Sequence, residues 1–312
     1  MKVGIMIEGQ EGLTWERWFR LAQAAEDLGY ESLCRSDHLT GLGGESKRPS
    51  LETWTSLTAL ALRTKRIRFG PMVSPLTFYH PALLAKMAAA VDTLSGGRLD
   101  LGLGAGWNEH EHRMFGVPFL TLKERLDRLE AGARLIRSLE KGQPVTLKQP
   151  HFPLEKAESF PLPSHARYRI VIGGRGEKRT LKIVAEFADE WNVTRVDIPG
   201  FVQKRSVLAE HCRAFGRDPE AIARSLMVPC AIGRDSVEVA KRIAGMRAIF
   251  PALPADEAAW HAVSFLAGSP ERIVADLKAW KHAGLQRVLL QSLDQDDLPG
   301  LELFAREVMP RL

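Results

Sequence analysis

One stretch of the sequence, residues 66–111, constrains the fold more than any other. Two short apolar segments, 66–73 and 98–103, flank an amphipathic helical pattern at 81–94. Two strands joined by a long helical crossover are typical of parallel neighbours, because parallel pairing cannot be closed by a tight turn. Apolar runs of this kind also indicate strands that are buried on both faces. The stretch therefore predicts a parallel α/β fold.

The same alternation continues along the rest of the chain. Strand patterns occur at eight places, and each is followed by helical sequence; they begin near residues 2, 31, 66, 98, 168, 189, 226 and 286. A (β/α)8 TIM barrel has this repeat within about 250 residues before insertions are added. An open doubly wound sheet is the alternative, but it would need a GxGxxG turn after the first strand, and residues 9–12 do not supply one.

Two irregular stretches interrupt the repeat. Residues 142–167 contain five prolines, which exclude a central strand or a long helix there. Long loops inside compact domains are usually functional, so we predict that this segment forms a flap across the barrel mouth. The second stretch lies at about 248–267. With both treated as insertions, the whole chain, 1–312, is predicted to be a single barrel domain.

Composition excludes several classes of protein. The chain has 312 residues, 45% of them hydrophobic, but no apolar run long enough to cross a bilayer, and Met1 leads directly into a strand pattern. We therefore expect a cytoplasmic protein without a membrane partner. The net charge of +5 is spread among acidic residues along helices, so no nucleic-acid partner is expected. Cys34, Cys212 and Cys230 lack paired spacing and are expected to be free thiols.

Three motifs carry a resemblance to a known family. They are SDH at 36–38, the run from GPMVSP to GAGWNEHEHRMFG at 70–116, and IGGRGEKRTLKIVAEFADEWN at 172–192. With these motifs the chain resembles the luciferase-like monooxygenase superfamily and, within it, the oxidoreductases that use the deazaflavin coenzyme F420. The resemblance implies a bacterial luciferase-like TIM barrel, a homodimer, a small-molecule substrate and F420 as the cofactor. FMN-using relatives share most of these motifs, so FMN is the alternative cofactor.

The glycine-rich segment 173–176 is a candidate anion site. Glycines let the backbone approach a phosphate, and a helix start offers free N–H groups. Lys178 and Arg179 would lie in the first helical turn, where cations oppose the helix dipole, which favours a bound anion over the alternative of a plain turn. The resemblance implies that Gly173, Gly174 and Lys178 hold the cofactor phosphate. Arg175, Lys178 and Arg179 would suit the oligoglutamate tail of F420 by charge.

Asp37 and His38 follow directly after the second strand pattern, at the end of the strands where parallel barrels bind ligands. A histidine there can act as a general acid or base near neutral pH, or it can simply cap a local turn. The resemblance implies that His38 is catalytic. It would take a proton from an alcohol or donate one to an activated double bond. Asp37 would support His38 or contact the cofactor ring.

Two further segments are implied to contact the cofactor ring. The resemblance places a non-proline cis peptide between Met72 and Val73, behind the ring. Gly104, Ala105 and Gly106 permit close backbone approach, and Trp107 is either a wall of the ring pocket or an ordinary packing residue. The F420-dependent sugar-phosphate dehydrogenases carry a glutamate immediately after this glycine loop, where this chain has Trp107. That departure argues against sugar-phosphate oxidation.

His110 and His112, beside Glu109 and Glu111, raise the question of a metal site. Side chains two residues apart on a helix point to nearly opposite sides, so these histidines cannot chelate one ion, and the HExxH spacing is absent. We predict that these residues lie on the surface and that the protein binds no metal.

Three functions remain open at this point. The favoured one is an F420-dependent oxidoreductase that moves a hydride between the deazaflavin C5 and a small organic substrate. The first alternative is an FMN-dependent luciferase-like monooxygenase. The second is a non-catalytic protein that binds flavin or F420, against which the Asp37–His38 pair argues.

Overall fold

The computed structural model describes residues 1–42 and 47–312. The strands are β1 (Lys2–Ile7), β2 (Ser32–Arg35), β3 (Arg68–Pro71), β4 (Ser74–Pro75), β5 (Asp100–Gly104), β6 (Val145–Leu147), β7 (Leu154–Ala157), β8 (Arg169–Gly173), β9 (Glu190–Thr194), β10 (Ala223–Ile232), β11 (Leu266–Gly268) and β12 (Arg287–Ser292). The α-helices are α1 (Trp15–Asp27), α2 (Thr53–Arg63), α3 (Pro81–Ser95), α4 (Glu109–Met114), α5 (Leu122–Leu139), α6 (Thr180–Phe187), α7 (Ile198–Ala214), α8 (Ser236–Ile249), α9 (Glu257–Ala262), α10 (Pro270–His282) and α11 (Leu298–Glu307).

The main sheet is a nearly closed parallel barrel. Its strands follow the order β3, β2, β1, β12, β10, β9, β8, β5, β4. β3 and β4 are two parts of one barrel strand, interrupted at Met72–Val73. β4 pairs with β5 through Ser74 and Leu103, and a bridge between Phe69 and Leu99 joins β3 to the start of β5. The predicted barrel is therefore confirmed, and helices lie between its strands.

Local signals explain where the helices begin and end. The Thr14 hydroxyl accepts a hydrogen bond from the N–H of Arg17 at the start of α1, and Thr121 forms a capping box with Glu124 at α5. Pro81 occupies the first turn of α3, and Gly96 ends that helix in the left-handed conformation. No described helix is long and apolar enough to cross a membrane.

The barrel interior is filled by two layers of side chains. At the amino-terminal end, the Arg287 guanidinium lies within 3.2 Å of carboxylate oxygens of Glu31, Asp100 and Glu190. Nearer the carboxyl-terminal end lies an apolar layer made of Met6, Cys34, Met72, Val171 and Leu289. A filled interior leaves no channel, so a ligand has to bind above the apolar layer, at the barrel mouth.

The first insertion is a hairpin and does not cross the mouth as a flap. β6 and β7 pair antiparallel, with the prolines of the segment in the turn and outside both strands. The hairpin packs on the outer helical layer, where the Phe152 ring contacts His80 of the α3 N-terminus and the Arg128 guanidinium of α5. The prediction of a flap is therefore corrected. Because the prolines flank the strands, they exclude a central strand but permit an edge hairpin.

The second insertion also contains regular structure that the sequence analysis did not predict. α9 precedes β11, which extends the sheet by pairing parallel with the end of β10, Cys230 opposite Leu266. Trp260 of α9 is fully buried and anchors a small apolar cluster with Ile243 and Leu293. The insertion thus thickens one side of the barrel wall.

Candidate active site

Four predicted site segments meet on one side of the barrel mouth. They follow β2, β3, β5 and β8, which are consecutive around the barrel when β3 and β4 count as one strand. A Cβ atom added at Gly104 would lie 2.5 Å from Val73 Cγ2, and one at Gly173 would lie 3.5 Å from Val73 Cγ1. The ring centroids of His38 and Trp107 are 5.6 Å apart. His38 and the Gly173 turn therefore belong to one continuous surface.

The peptide bond between Met72 and Val73 is cis, as predicted. The Val73 side chain occupies the space beside Gly102 and Gly104, where added Cβ atoms would lie 3.0 and 2.5 Å from its methyl groups. At Gly104 a larger residue would displace Val73 from the floor of the mouth, whereas at Gly102 it would first meet the Pro71 carbonyl oxygen, so both positions require glycine.

His38 forms its main contact with Glu111, which α4 brings to the mouth. The His38 Nδ1 lies 2.8 Å from Glu111 Oε1, and the N–H of Leu39 donates to Glu111 Oε2 at 3.0 Å. The Asn108 side chain caps α4 and fixes this turn of helix. A carboxylate accepts at both oxygens, so Nδ1 is the donor nitrogen. Nε2 is then the ring nitrogen left to exchange a proton with a substrate.

Electrostatics suit His38 to proton transfer. Burial lowers the pKa of His38, but the hydrogen bond and charge of Glu111 oppose this effect, as do the charges of Glu8 and Asp37. The net result is a His38 pKa above its ordinary value. His38 therefore keeps its proton to a higher pH than an exposed histidine would.

Asp37 does not support His38 in the way predicted. Its carboxylate is 3% exposed and accepts hydrogen bonds from the Ser74 hydroxyl and, at 3.1 Å, from the Tyr79 hydroxyl. Burial raises the pKa of Asp37, and these partners together with Arg35 only partly offset it. The prediction that Asp37 orients His38 is corrected: Glu111 occupies that role, because consecutive residues leaving β2 point to different sides.

The surface prediction for residues 109–112 is half right. Glu109 and His110 are exposed, whereas Glu111 is 1% exposed and His112 is fully buried. The His112 Nδ1 lies 2.6 Å from the Asn108 carbonyl oxygen and its Nε2 lies 2.8 Å from Thr77 Oγ1, so its role is structural. Across residues 1–42 and 47–312 no group of three or more His, Cys, Asp or Glu side chains could hold a metal ion. The sequence EHEHRM has no apolar periodicity to reveal which side of α4 faces inward.

Glu8 is a further buried carboxylate at the barrel mouth, which the sequence analysis did not single out. It follows β1 directly, is 7% exposed, and accepts hydrogen bonds from the side chains of Gln10 at 2.8 Å and Gln291 at 2.5 Å. Glu8 lies at the carboxyl end of a barrel strand, as Asp37 and His38 do. The rule that parallel barrels bind ligands at this end therefore also predicts Glu8 at the mouth.

The glycine segment 173–176 is partly exposed, and the helix that follows it has no side-chain hydrogen bond at its N-cap. Gly174 adopts φ 137°, which favours glycine, and its N–H donates to the Asn192 carbonyl at 3.0 Å. Residues 177–179 form a turn, so α6 begins at Thr180 and not at residue 177 as predicted. Among the α-helices of the described chain, α6 is the one without a side-chain hydrogen bond at its N-cap.

The predicted cations of this segment have different partners. Arg179 pairs with Asp127 at 2.7 Å and Glu130 at 3.3 Å on α5, so its guanidinium is committed to a neighbouring helix. Lys178 is exposed and forms no ion pair within the described residues. Lys178 is therefore the cation of this pair that is available to a ligand.

Comparison with known proteins gives a family match over most of the chain. The family model described as luciferase-like monooxygenase matches residues 1–287. The chain is similar to the F420-dependent glucose-6-phosphate dehydrogenase of Rhodococcus erythropolis, with 28% identity over 94% of this chain and 92% of that protein.

Solved structures share the same fold. An F420-dependent secondary alcohol dehydrogenase in complex with an F420–acetone adduct superposes with a TM-score of 0.83 at 20% identity, covering 100% of this chain and 99% of that one. The oxygenating constituent of 3,6-diketocamphane monooxygenase from Pseudomonas putida, in complex with FMN, superposes with a TM-score of 0.77 at 21% identity, covering 100% and 99%.

Proposed function

Because this chain belongs to the luciferase-like monooxygenase family, we propose that it is an F420-dependent oxidoreductase acting on a small organic substrate. Similarity to an F420-dependent dehydrogenase over nearly its whole length supports this choice of cofactor. The observation that carries the proposal is the pairing of His38 with Glu111 beside the glycine loops of the mouth.

The residues present fit a phosphate-bearing deazaflavin. The uncapped start of α6 leaves backbone N–H groups without side-chain acceptors, and Lys178 adds a free positive charge beside them. Gly173, Gly174 and Lys178 would hold the phosphate. The residues that would lie along the ring system are Met72, Val73, Gly104, Ala105, Gly106 and Trp107. F420, when bound, supplies the C5 atom that accepts or releases the hydride.

Side chains of the protein transfer the proton that accompanies the hydride. With Nδ1 committed to Glu111, His38 takes a proton at Nε2 when the substrate loses a hydride, and returns it when the substrate gains one. Glu111 stabilises the protonated ring in either direction. Trp107 stands edge-on to His38, with ring planes at 81°.

The experiment is a titration of the purified protein with F420 and with FMN, following cofactor fluorescence and then oxygen uptake with each reduced cofactor. We expect F420 to bind more tightly and oxygen not to be consumed. Tighter FMN binding with oxygen consumption would instead establish an FMN-dependent monooxygenase. F420 binding with no hydride transfer to or from any substrate would establish a non-catalytic binding protein.

A matched pair of variants tests the role of His38. His38→Asn should lower kcat by about 10²–10⁴-fold, the usual contribution of a general acid or base, while leaving the F420 dissociation constant nearly unchanged. His110→Asn, an exposed histidine close by on α4, should leave both unchanged. Loss of F420 binding in His38→Asn would mean that His38 holds the cofactor.

We further propose a homodimer in the cytoplasm. Leu62 of α2 and Leu83 of α3 are about two-thirds exposed on adjacent helices, at 69% and 65%, which suits an interface between two copies. Light scattering should give twice the monomer mass of 34.7 kDa, and cell fractionation should recover the protein in the cytoplasmic fraction. A mass of one chain at micromolar concentration would contradict the homodimer.

A further inference from the structure

A second cavity lies at the amino-terminal end of the barrel, opposite the mouth. It has a volume of about 410 Å³. Its wall includes Arg68 and Arg169, the first residues of β3 and β8, and Asp189, which immediately precedes β9. The barrel strands run parallel, so the apolar layer of the barrel interior separates a cavity at their starts from the mouth at their ends. Among the described residues that line it, none has been assigned to the cofactor or to proton transfer.

Two side chains at the rim of this cavity have unused hydrogen-bonding groups. The Arg167 side chain is 55% exposed, and its Nη2 donates to Asp189 at 2.5 Å. Its Nε and Nη1 have no acceptor within residues 1–42 and 47–312. The exposed His165 ring lies against Gly97, where an added Cβ atom would overlap it, and it forms no hydrogen bond with the described chain. Arg167 and His165 can therefore both bond to a ligand.

The inner wall adds two guanidinium groups that are only partly covered. The Arg68 side chain is 27% exposed and that of Arg169 is 23% exposed. Arg68 donates to Asp100 and to two backbone carbonyl oxygens that follow α3. Arg169 donates to Glu190 through Nη2, whereas its Nε has no acceptor in the part of the chain that the structure describes. These bonds hold both guanidinium groups in place at the cavity wall.

The acidic groups that line the cavity are already countered. Asp189 pairs with Arg167, and its carboxylate also lies 2.5 Å from Arg137 and 3.9 Å from Arg217. Asp92 is the other acid in the wall; it is 4% exposed and accepts from a backbone N–H at 2.8 Å. One of the two lining aspartates is therefore shared among three arginines. The cavity keeps an excess of positive charge, which attracts an anion.

We propose that this cavity binds a phosphate group, either as the free ion or as the phosphate of a small monoester. A planar guanidinium donates two parallel hydrogen bonds to a pair of phosphate oxygens. Arg167 supplies such donors at the rim, and Arg169 and Arg68 add charge from the inner wall. A single carboxylate carries less charge and occupies fewer donors, so it should bind more weakly. The site is independent of the proposed F420 chemistry, because it lies at the other end of the barrel.

Calorimetric titration of the full-length protein tests this proposal with four probes: inorganic phosphate, ribose 5-phosphate, acetate and ribose. We expect both phosphates to bind with Kd below about 1 mM, acetate to bind more weakly and ribose not to bind. Tighter binding of ribose 5-phosphate would assign the cavity to a monoester, and equal affinities would assign it to the free ion; both results support the proposal. Binding of neither phosphate, or tighter binding of acetate, would overturn it.

Three variants locate the bound phosphate. Arg167→Gln should weaken phosphate binding by about tenfold or more, because charge-assisted hydrogen bonds are lost. Asp92→Asn should have the opposite effect and strengthen binding, since the amide oxygen can still accept the backbone N–H while the opposing charge is removed. Arg311→Gln removes an exposed arginine that pairs with Glu271, outside the cavity, and should leave Kd unchanged. Unchanged affinity in both Arg167→Gln and Asp92→Asn would overturn the proposal.

The cofactor segment 173–178 is another place where phosphate could bind, so Lys178→Gln is a necessary control. Phosphate binding that survives Lys178→Gln and is weakened when Arg167→Gln is added would support the cavity site. Binding that is lost in Lys178→Gln and kept in Arg167→Gln would place the ion at the cofactor segment and overturn the proposal. Neither result depends on F420, so failure of the cavity site would leave the proposed function intact.

Discussion

At the scale of single residues, Glu111 determines what His38 can do. Its carboxylate fixes which ring nitrogen carries the proton and, together with Glu8 and Asp37, outweighs the effect of burial on the pKa of His38. A group whose pKa is raised stays protonated at low pH and loses its proton as the pH rises through the raised value. His38 is therefore an acid over a wider pH range than an ordinary histidine.

Glu111→Gln should move the pH dependence of catalysis. The amide keeps a hydrogen-bonding oxygen but removes the charge, so the pKa of His38 should fall. For carbonyl reduction, which needs protonated His38, kcat/KM should then decline with rising pH at a lower pH than in the unmodified protein. Steady-state rates across about pH 5–9, on either side of an ordinary histidine pKa, give the midpoint.

Glu109→Gln provides the control for that experiment. Glu109 lies two residues earlier, is exposed, and pairs only weakly with Arg113, at 3.6 Å. Its profile should match that of the unmodified protein. Coincident profiles for Glu111→Gln and the unmodified protein would show that Glu111 does not set the proton affinity of His38.

Individual site residues differ in how well sequence could identify them. The position of His38 at the mouth is predictable because His38 directly follows the end of a barrel strand, where parallel barrels bind ligands. Glu111 was assigned to the surface because α4 is short and polar on all sides, and only the tertiary contact with His38 shows which side is buried. Asp37 accepts hydrogen bonds from Ser74 and Tyr79, which lie 37 and 42 residues away in the sequence, so no local sequence pattern predicts these contacts.

At the scale of elements, the glycine-rich strand ends shape the floor of the mouth. Gly104 closes β5, and Val73 occupies the space that a side chain at residue 104 would need.

The sequence predicts the elements that have long periodic patterns, and it also predicts the barrel strands. The β6–β7 hairpin, α9 and β11 were not, since short polar strands and six-residue helices leave little periodicity and gain their stability from packing against the barrel.

Gly104→Ala should weaken F420 binding. The new methyl group would meet Val73 Cγ2 at 2.5 Å and displace it, at a cost of about 1–3 kcal/mol in the free energy of unfolding. Denaturant unfolding and an F420 titration measure the two effects. Gly245→Ala makes the same chemical change inside α8, where the nearest atom is 3.5 Å away, and should instead stabilise the protein by up to about 1 kcal/mol. Unchanged F420 affinity in Gly104→Ala would mean that Val73 does not support the cofactor.

At the scale of the whole molecule, the barrel depends on the buried ion cluster at its amino-terminal end. Arg287 of β12 is 1% exposed and faces Glu31, Asp100 and Glu190. Asp100 lies in β5, Glu190 lies in β9, and Glu31 immediately precedes β2. Arg169 also faces all three carboxylates, and Arg68 pairs with Asp100, so arginines supply the countercharge throughout the cluster. The cluster therefore links distant parts of the chain beneath the apolar layer that supports the mouth.

Arg287→Met should lower the free energy of unfolding by about 3–5 kcal/mol, because it removes the most deeply buried arginine that faces the three carboxylates and leaves Arg68 and Arg169 to balance them. Arg311→Met removes an exposed partner of Glu271 and should change stability by less than about 1 kcal/mol. Urea unfolding followed by fluorescence gives both values. We also expect one cooperative transition, since the chain is predicted to be a single domain. Equal stability of the two variants would contradict the role given to the cluster.

A crystal structure of the F420 complex would show whether one mouth holds the cofactor beside the His38–Glu111 pair. We expect the deazaflavin ring over Val73 and Gly104, with C5 on the side of His38 Nε2 and the phosphate against residues 173–178. F420 bound elsewhere on the barrel, or bound with C5 turned away from His38, would contradict this expectation.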